Sequence, residues 1–322
     1  MKITVIVPTY RRPQDLERCL EALKKQNRQA DEVLIVIRDT DTETWEFFAT
    51  FDAQPLNLQT LAVTEPGVIA AMNLGLDTAQ GEIIAFTDDD SAPHADWLSR
   101  IESYYVSDDK IGGVGGRDFL YNNNQLQQGS RKVVGRVQWF GRVIGNHHLG
   151  VGEAREVDVL KGVNMSFRRQ AIGNKRFDRR LLGSGAQVHF EIEFCLALKK
   201  AGWKLIYDPL IQVDHYSGQR FDNDKRDQFD SVALSNLVHN ETLILLENLP
   251  GIRRFIFLIW AFWVGTRRGR GLVQGLRFLP SEGILSIKKL IASLKGRLKA
   301  LKTWRKTKEP NSVVVTFTNQ NS

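Results

Sequence analysis

The most constraining feature of this chain is a series of short, uninterrupted apolar runs separated by stretches with helical spacing. Lys2–Val7 is β-branched after its lysine, and Pro13–Gln26 follows with Leu16, Cys19, Leu20 and Leu23 at helical spacing. Glu32–Ile37, Leu58–Val63 and Glu82–Thr87 repeat the first pattern, while Thr42–Asp52 and Val68–Ala79 repeat the second. Strands that are apolar on both faces belong to parallel sheets covered by helices on either side. The opening run is too short for a secretory signal and lacks a small-residue cleavage site, so it reads as a strand. In sheets of this kind the ligand crevice lies beyond the carboxyl ends of the strands. Three segments stand there: Pro8-Thr9-Tyr10, Arg38-Asp39 and Asp88-Asp89-Asp90.

Beyond Asp90 the pattern loosens. A helix is expected near Ala95–Val106, a Gly-rich strand at Ile111–Arg117, a weakly patterned stretch to Glu156, and strand character over Val157–Arg168. His189–Ala201 reads as a helix, and Trp203–Tyr207 and Ile211–His215 as short strands. Gly112-Gly113-Val114-Gly115-Gly116 lacks the spacing of a phosphate loop and suits a strand packed closely against its neighbour. With 322 residues and 25% charged side chains the chain can bury a sizeable core, which excludes collagenous and disordered classes. Its two cysteines, Cys19 and Cys195, are too few for a disulfide framework or a four-thiolate zinc site and suit a reducing, cytoplasmic setting.

Charge is distributed unevenly. Residues 251–310 hold fifteen Lys and Arg against Glu282 and Glu309, a net +13, so of the total of +7 the first 250 residues carry −6. This basic segment also contains Phe255–Val264, ten apolar residues between Arg254 and Arg267, too few to span a bilayer. Ile284, Leu285, Ile287, Leu290, Ile291, Leu294, Leu298 and Leu301 keep nearly helical spacing. A basic face opposite an apolar one suits an anionic lipid surface better than nucleic acid, and no zinc-finger or RNA-binding motif accompanies it. The expected division is residues 1–220 as a catalytic domain, with a donor half to residue 110 and an acceptor half after it. A helical basic extension over 221–310 and a flexible tail over 311–322 complete it.

Three adjacent aspartates repel one another and raise each other's pKa, a penalty that Mg²⁺ or Mn²⁺ removes. A solvated acidic turn is the alternative reading of the same run. His215 closes a second apolar strand and is a candidate third ligand, although a strand-end histidine is also common as a satisfied core residue.

Taken in order, Val-Pro-Thr-Tyr, Ile-Ile-Ala-Phe-Thr-Asp-Asp-Asp, Asp96-Trp97-Leu98, Gly162-Val163-Asn164-Met165-Ser166-Phe167-Arg168-Arg169, Glu191-Ile192-Glu193 with the helix that follows, and Val213-Asp214-His215 resemble a family 2 glycosyltransferase of the GT-A fold over about residues 1–220. The resemblance implies an α/β, Rossmann-like and mostly parallel sheet, and an inverting transfer from a nucleotide-sugar to a glycan or lipid-linked acceptor. It implies Asp88, Asp90 and His215 as metal ligands and Pro8, Thr9, Tyr10, Asp39, Asp88, Asp89, Trp97 and Asn164 as substrate contacts. Glu191 matches the catalytic base. The basic, apolar-faced segment 251–310 points to a peripheral position at the inner face of the plasma membrane, the alternative being that Phe255–Val264 packs on the catalytic domain and the basic helix is a solvated face. The sequence departs from the family at three positions: Arg38 stands where Asp is commoner, Met72 where Arg is frequent, and Phe190 where an acid precedes the base. On the helix, Glu191 and Glu193 point in different directions, so only one can face the acceptor. His147, His148 and Trp139 lie where such enzymes contact the acceptor. A nucleotidyltransferase is the competing enzyme class, weakened by the poor triphosphate loop that Tyr10-Arg11-Arg12 would make. A sugar-nucleotide binder without activity is the other alternative.

Overall fold

The computed structural model describes residues 1–123, 125–219, 221 and 228–306. The expected tail 311–322 lies outside the described residues. Strands β1 (Ile3–Thr9), β2 (Glu32–Arg38), β3 (Leu58–Val63) and β4 (Ile83–Phe86) pair in parallel in the order β3-β2-β1-β4. Helices α1 (Pro13–Lys24), α2 (Thr42–Thr50) and α3 (Val68–Thr78) connect them. The sheet continues through β5 (Ser91–Pro93), β6 (Ile111–Asn122), β7 (Arg155–Glu156), β8 (Met165–Arg168) and β9 (Lys204–Tyr216). Its order is β7-β9-β6-β8-β4-β1-β2-β3, with β5 set against β9. β8 runs antiparallel to both β4 and β6 and joins the two halves. The helix-covered α/β sheet is as expected, but it is mixed rather than mostly parallel: β1–β4 pair in parallel, as do β6 and β9, whereas β5, β7 and β8 are antiparallel to their neighbours.

Two elements differ from the expectation. Strand structure over Val157–Arg168 is confined to β8, because Val157, Val159, Leu160 and Val163 plug the core from a loop that presents Lys161 and Gly162 to a cavity. The two short strands near 203 and 211 are one, β9, whose register against β6 shifts between Asp208 and Gln212. The glycines of β6 do allow close packing: a Cβ at Gly112 would meet Trp203 at 2.6 Å and one at Gly116 the Ile211 carbonyl at 1.9 Å.

Helix α4 (Trp97–Ser107) covers the sheet beside α1, and α5 (Phe190–Lys200) covers the opposite face. The C-terminal helices α6 (Ser231–Asn248), α7 (Gly251–Trp263) and α8 (Ile284–Lys306) pack onto this body. Leu243 and Ile244 of α6 and Ala300 of α8 share one core cluster with Ile6, Phe86 and Phe194. Phe257 and Ala261 of α7 are buried with Leu245 and Leu249, leaving Ile252, Phe255, Ile259 and Trp263 exposed along the other side. The basic residues are not all on the surface either. Arg270 is fully buried and Arg297 nearly so, so neither charge is presented to a lipid surface. Among the described residues no helix is long and apolar enough to cross a membrane.

Candidate active site

Parallel pairing of β1 with β4 sets Thr9 and Tyr10 beside the aspartate run that follows β4. Arg12, at the N-cap of α1, reaches across to it: Nη2 lies 2.5 Å from Asp89 Oδ1 and Nη1 3.1 Å from Asp90 Oδ2. Pairing of β5 with β9 places His215 opposite Ser91 and so next to Asp90, with Nε2 3.4 Å from Asp90 Oδ1. The other ring nitrogen, Nδ1, faces Asp118 Oδ2 at 3.5 Å, and Lys161 donates to that same carboxylate oxygen. Ligand atoms of Asp88, Asp90 and His215 all fall within 4.8 Å of one another. They open onto a cavity of about 580 Å³ walled also by Pro8, Thr9, Tyr10, Arg12, Lys161, Phe190 and Glu191.

The electrostatics follow from burial and crowding. Burial raises the Asp88 carboxyl, and Asp90 raises it further. Burial also raises Asp89, to about 7, with Arg12 opposing. Asp90 goes the other way: despite its burial, the His215 hydrogen bond, the His215 charge and Arg12 hold it well below the ordinary carboxylate range. Burial would lower His215, but Asp118 and Asp90 lift it to about 9.

Glu191, in the first turn of α5, lines the cavity, and burial pushes its carboxyl up to about 7, Lys161 opposing and Asp88 assisting. Glu193 is turned away, buried and held by Lys175 at 2.8 Å. The two acids diverge as expected, although Glu193 is a buried partner of Lys175 rather than a solvated helix acid. Phe190, where the family places an acid, packs edge-on against Phe177, and Met72, where the family often has Arg, is fully buried.

Four residues expected as substrate contacts, Asp39, Asp89, Trp97 and Asn164, do not line the cavity. Trp97 and Asn164 are fully buried, and the indole Nε1 donates to Asn164 Oδ1 at 2.9 Å while Asn164 Nδ2 donates to the carbonyls of Ile211 (2.9 Å) and Arg117 (3.2 Å). Their polar groups are spent on locking α4, β6 and β9 together, and neither lines the cavity. Asp89 is fully buried against Arg12 and does not face the cavity. Asp39 is exposed and turned onto Arg38 Nε at 3.0 Å, so the wall there is made by Arg38 and Thr40. His147 is also buried, facing the Val159 carbonyl at 3.0 Å. Sequence reasoning missed Arg12, Asp118 and Lys161, whose partners are separated by tens of residues, and Arg268, which the C-terminal segment contributes to the cavity wall.

Two carboxylates and an imidazole thus meet at the crevice of a mixed, helix-covered α/β sheet. Residues 4–173 match the family model Glycosyl transferase family 2, and the chain belongs to that family. Glycosyltransferase AglE of Haloferax volcanii is 34% identical over 125 residues, which cover 38% of this chain and 41% of that relative. The chain thus spans less than half the length of this curated relative. Among solved structures, S. aureus TarS in complex with UDP-GlcNAc superposes with a TM-score of 0.58 at 15% identity, covering 96% of this chain and 91% of that one. The mannosyltransferase PcManGT of Pyrobaculum calidifontis, in complex with GDP-Man and Mn²⁺, gives 0.56 at 15% identity over 95% and 88%. The fold is accordingly that of GT-A glycosyltransferases.

Proposed function

We propose that this protein is an inverting, metal-dependent glycosyltransferase that moves a sugar from a nucleotide diphosphate donor to an acceptor hydroxyl on a glycan or lipid-linked glycan. The observation that carries this reading is the meeting, at one cavity, of a three-ligand cation set with a carboxyl whose pKa is raised to about 7. Two carboxylates and an imidazole suit Mg²⁺ or Mn²⁺. The fit extends outward, since Asp118 faces His215 Nδ1 and leaves Nε2 on the Asp90 side, the arrangement that orients an imidazole ligand. Asp88, Asp90 and His215 would hold such a cation, which would supply positive charge to offset the charge growing on the departing diphosphate.

The chain's own residues supply the rest. Thr9 and Tyr10 flank the nucleotide, Arg12 holds Asp89 and Asp90 in place, and Lys161 fixes Asp118 behind His215. Glu191 accepts the acceptor's proton as the hydroxyl attacks the anomeric carbon from the face opposite the diphosphate, and no covalent intermediate is required. The experiment is a thermal-shift series with UDP-, GDP-, dTDP- and CMP-sugars, with and without Mn²⁺. One donor is expected to raise Tm by roughly 5 °C at a hundredfold excess over Kd, because that excess contributes ~2.7 kcal/mol and each kcal/mol moves a large domain by about 2 °C. Stabilisation should vanish with chelator. If no nucleotide-sugar stabilises the protein, the reading fails.

We further propose that the C-terminal helices hold the enzyme on an anionic membrane surface without crossing it. Support comes from Ile252, Phe255, Ile259 and Trp263, spaced by three, four and four along α7 and 47–67% exposed. Trp139, 60% exposed, adjoins them through its carbonyl, which accepts from Arg253 Nε at 2.9 Å. Trp260 and Phe262 of the same apolar run are half-buried, and Trp260 packs on Phe140. Flotation with anionic liposomes should show binding that weakens but persists in high salt, because the apolar component is not screened. Phe255→Ser with Trp263→Ser should remove the salt-resistant part. Indifference of the wild type to vesicles at low salt would refute the assignment.

A further inference from the structure

The cavity wall that leads into Glu191 is a loop, residues 182–189, whose neck is held by the C-terminal helix α6. Asn240 of α6 is fully buried, and its side chain spends its whole hydrogen-bonding capacity there. Oδ1 accepts from the Leu182 amide at 2.7 Å, and Nδ2 donates to the carbonyls of Leu182 at 2.9 Å and Val188 at 3.0 Å. Oδ1 also faces His239 Nδ1 at 3.0 Å. An amide oxygen can only accept, so Nδ1 carries a ring proton, and Nε2 faces Thr303 Oγ1 of α8 at 3.0 Å. Burial lowers the His239 imidazole below its ordinary value, so α6 and α8 orient Asn240 through a neutral ring.

The tip of the same loop is fastened to the opposite wall. Gly67 precedes α3 and has no side chain to cap it, so the loop supplies the partners: the Val68 amide donates to the Gly185 carbonyl at 2.9 Å and the Ile69 amide to Gln187 Oε1 at 3.0 Å. Gln187 Nε2 donates in turn to the Leu181 carbonyl at 3.1 Å, which ties tip to neck. With φ at +110°, Gly67 is also where a Cβ would collide with Gln187 Oε1. Ser184, Gly185, Val188 and His189 of the loop line the cavity, and the chain runs from them directly into Phe190 and Glu191 at the start of α5. Asn240 itself does not line the cavity, and Glu191 follows three residues after the Val188 carbonyl that Asn240 holds.

We propose that Asn240 and Gln187 are positioning residues for Glu191, and that α6 thereby completes the active site instead of belonging to a detachable extension. The proposal rests on the glycosyltransferase reading. A base acts only within hydrogen-bond reach of the proton it takes, and a misplacement of about 1 Å costs on the order of a hundredfold. Both side chains grip backbone, so their effect passes through the place of Glu191.

The test uses the full chain with Mn²⁺, the nucleotide-sugar that the thermal-shift series identifies, and water as the acceptor. Glu191 takes one proton of the water, the oxygen bonds to the anomeric carbon, and the nucleoside diphosphate that departs is measured. Below the Tm of each variant, Asn240→Ala is expected to lower kcat about a hundredfold while donor Kd changes less than about threefold. Gln187→Ala leaves the buried neck paired and should lower kcat about tenfold. In the Glu191→Gln background Asn240→Ala should slow the residual rate no further, because the group it positions is gone. Leu245→Ala is the control: it empties a different cluster on the same helix, with Leu249 and Phe257, and should lower Tm with kcat unchanged. Amide exchange over residues 182–190 should quicken in Asn240→Ala and not in Leu245→Ala. If Asn240→Ala does not fold, Gln187→Ala decides. Undiminished kcat in Gln187→Ala overturns the proposal, as does a loss of donor affinity that matches the loss of kcat. A further hundredfold loss in the Glu191→Gln background overturns it too, and so does an equal loss of kcat in Leu245→Ala. A wild type that binds no nucleotide-sugar overturns the transferase reading, whereas variants that fail to slow an active wild type overturn only the positioning role.

Discussion

Asp90→Asn is expected to reduce turnover by about a thousandfold while leaving the fold intact. Asp90 is the most strongly ionised of the three aspartates, since His215 and Arg12 stabilise its charge against the burial that opposes it, and it also accepts from the Gly218 amide at 2.9 Å. An amide keeps the shape and one acceptor oxygen but supplies no negative charge to a cation. Metal assistance to a departing phosphate is worth several kcal/mol, and about 4 kcal/mol corresponds to the stated factor. Arg12 remains paired with Asp89 and His215 remains beside Asp118 in the variant, so the local frame persists. Mn²⁺ affinity, followed by electron paramagnetic resonance, should fall with turnover. Asp89→Asn is the contrasting case: it strips the charge from a buried partner of Arg12 that does not itself line the cavity, so its loss should fall first on stability. Near-normal turnover or Mn²⁺ affinity in Asp90→Asn would refute the role assigned to the aspartates.

The N-terminal half was legible because strands buried on both faces leave continuous apolar runs, and each such run ends where a crevice must lie. That logic puts Thr9, Tyr10, Asp88 and Asp90 at the crevice, and all four line the cavity. It failed where a motif is kept for packing rather than for binding. Trp97 and Asn164 sit in adjacent family motifs, yet their hydrogen bond is internal, and only the fold brings residues 67 positions apart into contact. Likewise Val157, Val159, Leu160 and Val163 carry a strand-like composition but form a core-plugging loop, since apolar spacing cannot separate a buried strand from a buried turn.

The basic segment was legible as amphipathic but not as to which charges face water. A helix pattern states that one face is apolar without naming its partner. Phe257 and Ala261 are covered by α6, whereas Phe255 and Trp263, of similar chemistry and two residues away from them, are exposed. Arg270 and Arg297 look like any other surface cations in a run of fifteen, and their burial follows from the partners they reach, Glu282 for Arg270 and the Arg270 carbonyl for Arg297. Pairwise contacts of this sort have no local spacing rule.

Glu191→Gln is expected to abolish transfer, by roughly two to four orders of magnitude, with donor and metal binding preserved. The amide matches the carboxyl in shape and cannot take a proton, so the loss should fall on turnover and not on nucleotide affinity. Glu193→Gln should be mild for catalysis, since that side chain is engaged by Lys175 away from the cavity. Two pH measurements give the role a signature. In the wild type the base must be ionised, so kcat/KM should climb as pH rises towards about 7 and then level, and the climb should disappear from the residual rate of Glu191→Gln. Stability should move oppositely. Burial raises the folded-state pKa above the unfolded value, so the folded state holds the proton more tightly and stability is lost as pH rises from the ordinary carboxyl range through about 7. Glu191→Gln lacks this titration and should be at least as stable as the wild type at pH 8. Inactivity combined with undiminished stability at that pH is the result a merely structural glutamate would not give, and full activity in Glu191→Gln would move the base elsewhere in the cavity.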